Sequence, residues 1–156
     1  MKNLTPTRPK LSEAGLLKAA KMTADGVVRW ADHSSINAAR LANDIVSQYS
    51  THMDGYGLAK GLDSHCGYQP DTEMVRALDS MSSHVDDIYK KEILEWMVEC
   101  NITPPFPEQT AITIGLITGI STYDHACYEV LRKGDSKDSI ERLIIPFENA
   151  VFSPTA

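Results

Sequence analysis

The spacing of apolar residues changes near residue 105, and this change limits what the chain can fold into. Up to Cys100 the apolar side chains recur at the spacing of one face of an α-helix. After the proline-rich break at 104–107 they alternate with polar residues and glycines over 111–120, as in a β-strand. The sequence therefore predicts an α+β protein. Its N-terminal helical part is followed by a small antiparallel β module, which is expected to form a small barrel or a curled sheet.

The pattern divides the chain into three segments. Residues 1–10 contain two prolines and little apolar content, so they are predicted to form a flexible tail. The helical part is expected over 11–101 and the β module over 108–153. At 156 residues the chain has the size of one domain, or of a domain with a small appendage.

Several amphipathic helices are predicted in the helical part. Ser12 has the position of an N-cap for the first helix, which is weakened at Asp25-Gly26. Ser34 or Ser35 is the predicted cap of the second helix. Over 71–100 two interpretations are open, one long helix or a break at Ser82-Ser83, and we favour the break.

The β module is predicted to contain three main strands with a polar hairpin loop between the last two. Pro146 lies within the last of these strands and predicts a sheet edge or a bulge, because proline cannot donate to a ladder. The predicted strands are 111–120, 126–132 and 140–147, the loop is 133–139, a 3₁₀ turn is expected at 148–150, and a short final strand at 151–153.

Residues 110–153 resemble small SH3-like barrels of the Tudor and KOW kind. The resemblance rests on a glycine-containing opening strand at 114–120, a hairpin, and a final 3₁₀ turn with a short strand. It implies a module that binds peptides, RNA or other proteins. Tudor domains use an aromatic cage, which Tyr123, Tyr128 and Phe147 would supply in this chain.

The charge of the chain is unevenly distributed. The formal net charge is −6, with +4 in residues 1–30, −7 in residues 31–100 and −3 in residues 101–156. Broad binding to a phosphate backbone needs a basic surface, so the acidic middle disfavours nucleic acid as a partner. The basic N-terminal segment remains a candidate contact for an acidic partner.

The cysteines and the absence of apolar runs bear on compartment and cofactors. Three scattered cysteines fit a reducing compartment, and no run approaches the roughly 18 apolar residues of a membrane span. We therefore expect a cytoplasmic protein. His65, Cys66, His84 and Cys100 are the best metal candidates by residue type, but they lack the closely paired spacing of zinc ligands. No nucleotide motif is present either, so neither a metal nor another cofactor is predicted.

Two surfaces are candidate partner-binding sites. The first is the loop with Tyr123, Asp124 and His125, together with Tyr128, because polar loops on a rigid scaffold often carry binding residues. The second is the acidic helix face with Asp86 and Asp87, which suits a basic partner. We slightly favour the loop, with Tyr123 as the first aromatic anchor.

These observations predict a non-enzymatic binding or regulatory protein that acts through protein–protein contact. In a more specific form of this hypothesis, it is a phage or mobile-element accessory protein that engages or inhibits a host factor. Two alternatives stay open. One is a nucleic-acid-associated protein that uses the β module and the basic N-terminal segment, and the other is a small enzyme with a site near Cys66 or His125.

Overall fold

The computed structural model describes residues 6–31 and 33–154, and the chain separates into two compact units. The helical unit is Lys10–Lys91, and the β unit combines Met1–Pro9 with Glu92–Ala156. The predicted α+β class, with helices preceding strands, is confirmed. The division falls inside the last helix, whereas the sequence pattern places it after residue 101. No helix among the described residues is long and apolar enough to cross a membrane.

The helical unit is built around a first helix whose inner face consists of small side chains. Gly15, Ala19, Ala20 and Ala24 are all buried, so neighbouring helices can approach closely. The helices are α1 (Glu13–Trp30), α2 (Ala38–Gln48), α3 (Gly55–Cys66), α4 (Thr72–Leu78) and α5 (Ser80–Glu99). Their larger core side chains include Val27, Leu41, Ile45, Leu58, Leu62, Met74, Leu78 and Met81.

The starts of α1 and α2 test the capping predictions. Ser12 caps α1 as predicted, because its side chain accepts a hydrogen bond from the amide of Gly15 at 2.9 Å. The predicted weakening at Asp25-Gly26 is absent, and α1 continues through it to Trp30. The prediction of Ser34 or Ser35 as the second cap is wrong. Asn37 has that role, accepting from the amide of Arg40 at 3.0 Å.

The helical segment that follows Asp71 is broken at Asp79 rather than at Ser82-Ser83. Asp79 also contacts the start of α3. The amide of Gly55 donates a 2.6 Å hydrogen bond to the Asp79 carboxylate. A Cβ at Gly55 would overlap with the carbonyl oxygen of Val75 and with Asp79 itself, so only glycine permits this approach.

The β unit contains one antiparallel sheet of four strands in the order β1-β2-β3-β4. The strands are β1 (Ala111–Ile112), β2 (Gly115–Ile120), β3 (Cys127–Arg132) and β4 (Leu143–Pro146), followed by a 3₁₀ turn at Phe147–Asn149. The strand predicted over 111–120 is therefore two strands joined by a turn at 113–114. A Cβ at Gly115 would overlap with the backbone of Leu131, which explains the glycine at the start of β2.

The sheet does not close into the SH3-like barrel that the resemblance implies. A single antiparallel bridge joins Ile112 to Phe152, so the predicted final strand 151–153 is reduced to this bridge. The strand predicted over 140–147 is shortened to β4, which lies at the edge of the described sheet. Pro146 ends this strand, which agrees with its predicted place at an edge.

Part of the predicted flexible tail is held by the β unit. The Arg8 side chain is only 17% exposed and forms an ion pair of 2.6 Å with Glu148. It also lies over the ring of Trp96, 5.4 Å from the ring centroid. A flexible segment would not bury a charged side chain in this way, so the tail prediction fails at Arg8. Its residues 1–5 lie outside the described residues.

We expect Gly55→Ala to destabilise the protein by about 1–3 kcal/mol, because the added methyl group must displace the end of α4. Gly26→Ala is the matched control within α1, where an added Cβ meets nothing within 4 Å. That change should stabilise the protein by up to about 1 kcal/mol through helix propensity. Chemical denaturation measures both, and equal effects of the two substitutions would contradict the packing argument.

The Arg8–Glu148 pair should make stability depend on pH. Burial alone raises the pKa of Glu148, but the hydrogen bond and charge of Arg8 outweigh it, so the pKa lies below its usual value. Such a carboxyl stabilises the fold above its unfolded pKa, and the effect is lost as the pH falls through the folded pKa.

Glu148→Gln should therefore be less stable than the wild type at neutral pH. The difference in the free energy of unfolding between Glu148→Gln and the wild type should shrink as the pH falls below about 4.5. Urea denaturation across this range measures it, with Glu108→Gln, an exposed position of the same unit, as the control. A difference that stays constant with pH would show that the ion pair is not its source.

Candidate functional site

An open groove crosses the helical unit. Its volume is about 790 Å³. The start of α1, the loop after α2 and the first half of α5 supply its walls. We call it the α1–α5 groove. Its size falls in the range of ligand-binding clefts and peptide-binding grooves.

The wall of the groove is continuous with the hydrophobic core. Leu11, Leu16, Tyr49 and Val85 line it, and each is a partly buried side chain packed against the core cluster. Burial on one side holds these side chains in place, while the other side faces the groove. The groove therefore offers a preformed apolar surface, which binds a ligand at a lower ordering cost than a flexible one.

Charged and aromatic groups stand at the rim. Asp86 and Glu13 supply two carboxylates, and Lys10 supplies one ammonium group. Burial raises the pKa of the Tyr49 phenol, and the negative charge of Asp86 raises it further. Both Asp86 and Tyr49 line the groove.

The predicted acidic face contributes one residue to this site. Asp86 and Asp87 are both exposed on α5, but only Asp86 lines the groove.

The favoured loop, 121–125, lies in the β unit. Tyr123 is 77% exposed at this loop and Asp124 is exposed as well, whereas His125 is half-buried. Ser121 is buried, and its hydroxyl accepts hydrogen bonds from the amides of Tyr123 and Asp124 at 3.3 Å and 3.1 Å. The loop is thus ordered by its own hydrogen bonds and leaves Tyr123 accessible.

Tyr128 is a core residue, which corrects its prediction as a partner-binding anchor. Its side chain is 1% exposed. Its hydroxyl accepts a 2.7 Å hydrogen bond from the amide of Phe106 and donates one of 2.8 Å to the carbonyl of the same residue. The Tyr128 and Phe147 rings pack together with centroids 4.6 Å apart. The aromatic cage that the Tudor resemblance implies is therefore not open in this structure.

The other chemical candidates are dispersed. Among the described residues, no group of three His, Cys, Asp or Glu side chains lies close enough to hold a metal ion. Cys66 is half-buried at the end of α3, and His65 beside it is exposed. Burial raises the pKa of the Cys127 thiol, which disfavours the reactive thiolate at this position.

Comparison with known proteins adds no identification. Neither protein-family models, nor curated proteins, nor solved structures give a significant match to the chain. The site is therefore argued from its own geometry.

The sequence analysis did not identify most of the residues that line the groove. Tyr49 directly follows α2, and its helically spaced apolar position predicts the core, whereas in the structure it is only partly buried there and also lines the groove. Leu11 and Leu16 lie at the start of α1 and carry no signal that separates them from core positions. His52 has a positive φ of 65° in the loop after α2, and its place in the groove depends on that turn.

Tyr128→Phe should destabilise the protein by about 1–3 kcal/mol, because it leaves the amide and carbonyl of Phe106 without the phenol that pairs with both. Tyr123→Phe is the matched control, since it removes an exposed hydroxyl of the same unit. Thermal unfolding compares the two variants. A silent Tyr128→Phe would show that this hydroxyl does not hold the segment at Phe106.

Proposed function

We propose that this protein is a non-enzymatic binding protein that holds a segment of a partner protein in the α1–α5 groove. The observation that supports the proposal most directly is the combination of a core-backed apolar wall with the carboxylate of Asp86 at the rim. Interfaces of this kind bury an apolar centre and leave polar groups around it.

The chemistry of the groove selects an amphipathic segment with a basic residue. Leu16, Tyr49 and Val85 would cover apolar side chains spaced along one face of a helix, a common mode of peptide recognition. The rim carries two carboxylates against one ammonium group, so a lysine or arginine on the segment would face Asp86 favourably. The apolar contacts would supply most of the affinity and the charge would set the orientation.

We favour the groove as the partner-binding site over the loop at Tyr123, which the sequence analysis favoured. Tyr123 is exposed, but Tyr128, the second aromatic anchor of that proposal, is buried. A lone exposed tyrosine offers less contact area than a groove with several apolar side chains. The phage or mobile-element role and the host factor remain predictions from the sequence.

A synthetic amphipathic peptide tests the proposal. The probe is a helical peptide of leucine and lysine about 14 residues long, or four turns, and its counterpart has glutamate in place of lysine. We expect the wild-type protein to bind the lysine peptide and to reject the glutamate peptide. Asp86→Lys should weaken binding of the lysine peptide about tenfold, as measured by fluorescence anisotropy.

Asp87→Lys is the matched control, because Asp87 is the next residue on α5, is equally exposed and does not line the groove. Both variants change the net charge by the same amount, so a general electrostatic effect would weaken binding equally. Equal losses in the two variants, or undiminished binding by Asp86→Lys, would contradict the assignment to the groove.

A further inference from the structure

The Arg8 side chain occupies a pocket that is complementary to a guanidinium group. The walls of this pocket, which we call the Arg8 pocket, are the Glu148 carboxylate, the carbonyls of His125 and Ala126, and the ring of Trp96. All of these groups belong to the β unit.

Each wall meets a different part of the guanidinium. Nε and Nη2 of Arg8 donate to the two Glu148 oxygens at 2.6 Å and 3.2 Å. Nη1 donates to the carbonyl of His125 at 3.1 Å, and Nη2 donates to that of Ala126 at 2.7 Å. The planar group lies over Trp96, whose side chain is 9% exposed. A forked carboxylate contact with an aromatic face is specific to arginine, because lysine has neither the fork nor the plane.

We propose that the Arg8 pocket is a recognition site for an arginine on an extended segment of a partner protein, and that Arg8 fills it in cis. Thr7 and Lys10, which lie close to Arg8 in the chain, are exposed. Another segment with different residues at these positions can therefore present an arginine to the pocket in the same way. Pro9 disfavours helical backbone at Arg8, so the cis occupant is itself an extended segment.

The cis occupant leaves one polar group of the pocket unpaired. Nε1 of Trp96 is buried, and no hydrogen-bond partner for it is found among the described residues. An unpaired buried donor is costly, so a partner segment whose carbonyl reaches this nitrogen gains a bond that Arg8 does not provide. The site differs from the α1–α5 groove in position and in ligand, and it does not rest on the function proposed for that groove.

The Arg8→Ala chain tests the pocket with a labelled peptide of residues 6–12 as the probe. We expect this variant to bind the peptide at least about tenfold more tightly than the same peptide with lysine in place of arginine. The wild type should bind the arginine peptide at least about tenfold more weakly than the variant, because its tethered Arg8 competes at high effective concentration. Adding Glu148→Gln to Arg8→Ala should abolish the binding. Equal binding of both peptides, or no binding by folded Arg8→Ala, overturns the proposal.

The wild-type chain provides a second test if Arg8→Ala does not fold. The two tryptophan indole signals are followed by NMR as excess arginine peptide is added. The Trp96 signal should shift, while that of Trp30, which is 80% exposed and lies in the helical unit, should remain. An unchanged Trp96 signal overturns the proposal.

Discussion

The helical unit depends on the contact between Gly55 and Asp79. A 2.6 Å hydrogen bond joins the first amide of α3 to the Asp79 carboxylate, and the space between them admits no side chain at position 55. The carboxylate also lies at the positive end of the α3 dipole, which favours its charge. The contact lies at the interruption between α4 and α5, and α5 then supplies one wall of the α1–α5 groove.

The β unit is organised around buried polar contacts. The Tyr128 hydroxyl binds both backbone groups of Phe106, so it holds the segment that enters the β unit against β3. Arg8 does the same for the N-terminal segment through Glu148 and two carbonyls. In each case a side chain binds backbone groups of a segment distant in sequence. The described sheet is open, with one bridge between Ile112 and Phe152 outside its strands.

The two proposed sites differ in what they would recognise. The α1–α5 groove presents apolar side chains around a single important carboxylate, so shape and burial dominate there. The Arg8 pocket combines one aromatic face, that of Trp96, with directed hydrogen bonds to one guanidinium. A protein with both could hold one partner at two points or two partners at once.

By itself, the sequence determined the α+β class, the Ser12 cap, nearly all of the strand predicted over 126–132 and the edge position of Pro146. These features depend on periodicity and on local backbone chemistry, both of which can be recognised from residues that are close together in the sequence. Asp86 was also identified as a candidate contact, from its charge and its helix. The break at Asp79, the turn that divides 111–120, the burial of Tyr128 and the capture of Arg8 were decided only by the tertiary structure. The break, the burial of Tyr128 and the capture of Arg8 involve contacts between residues more than ten positions apart, such as Gly55 with Asp79 or Arg8 with Glu148, and no local pattern encodes such a pairing. The turn at 113–114 is local, but its flanking residues continue the alternating pattern, so periodicity does not reveal it.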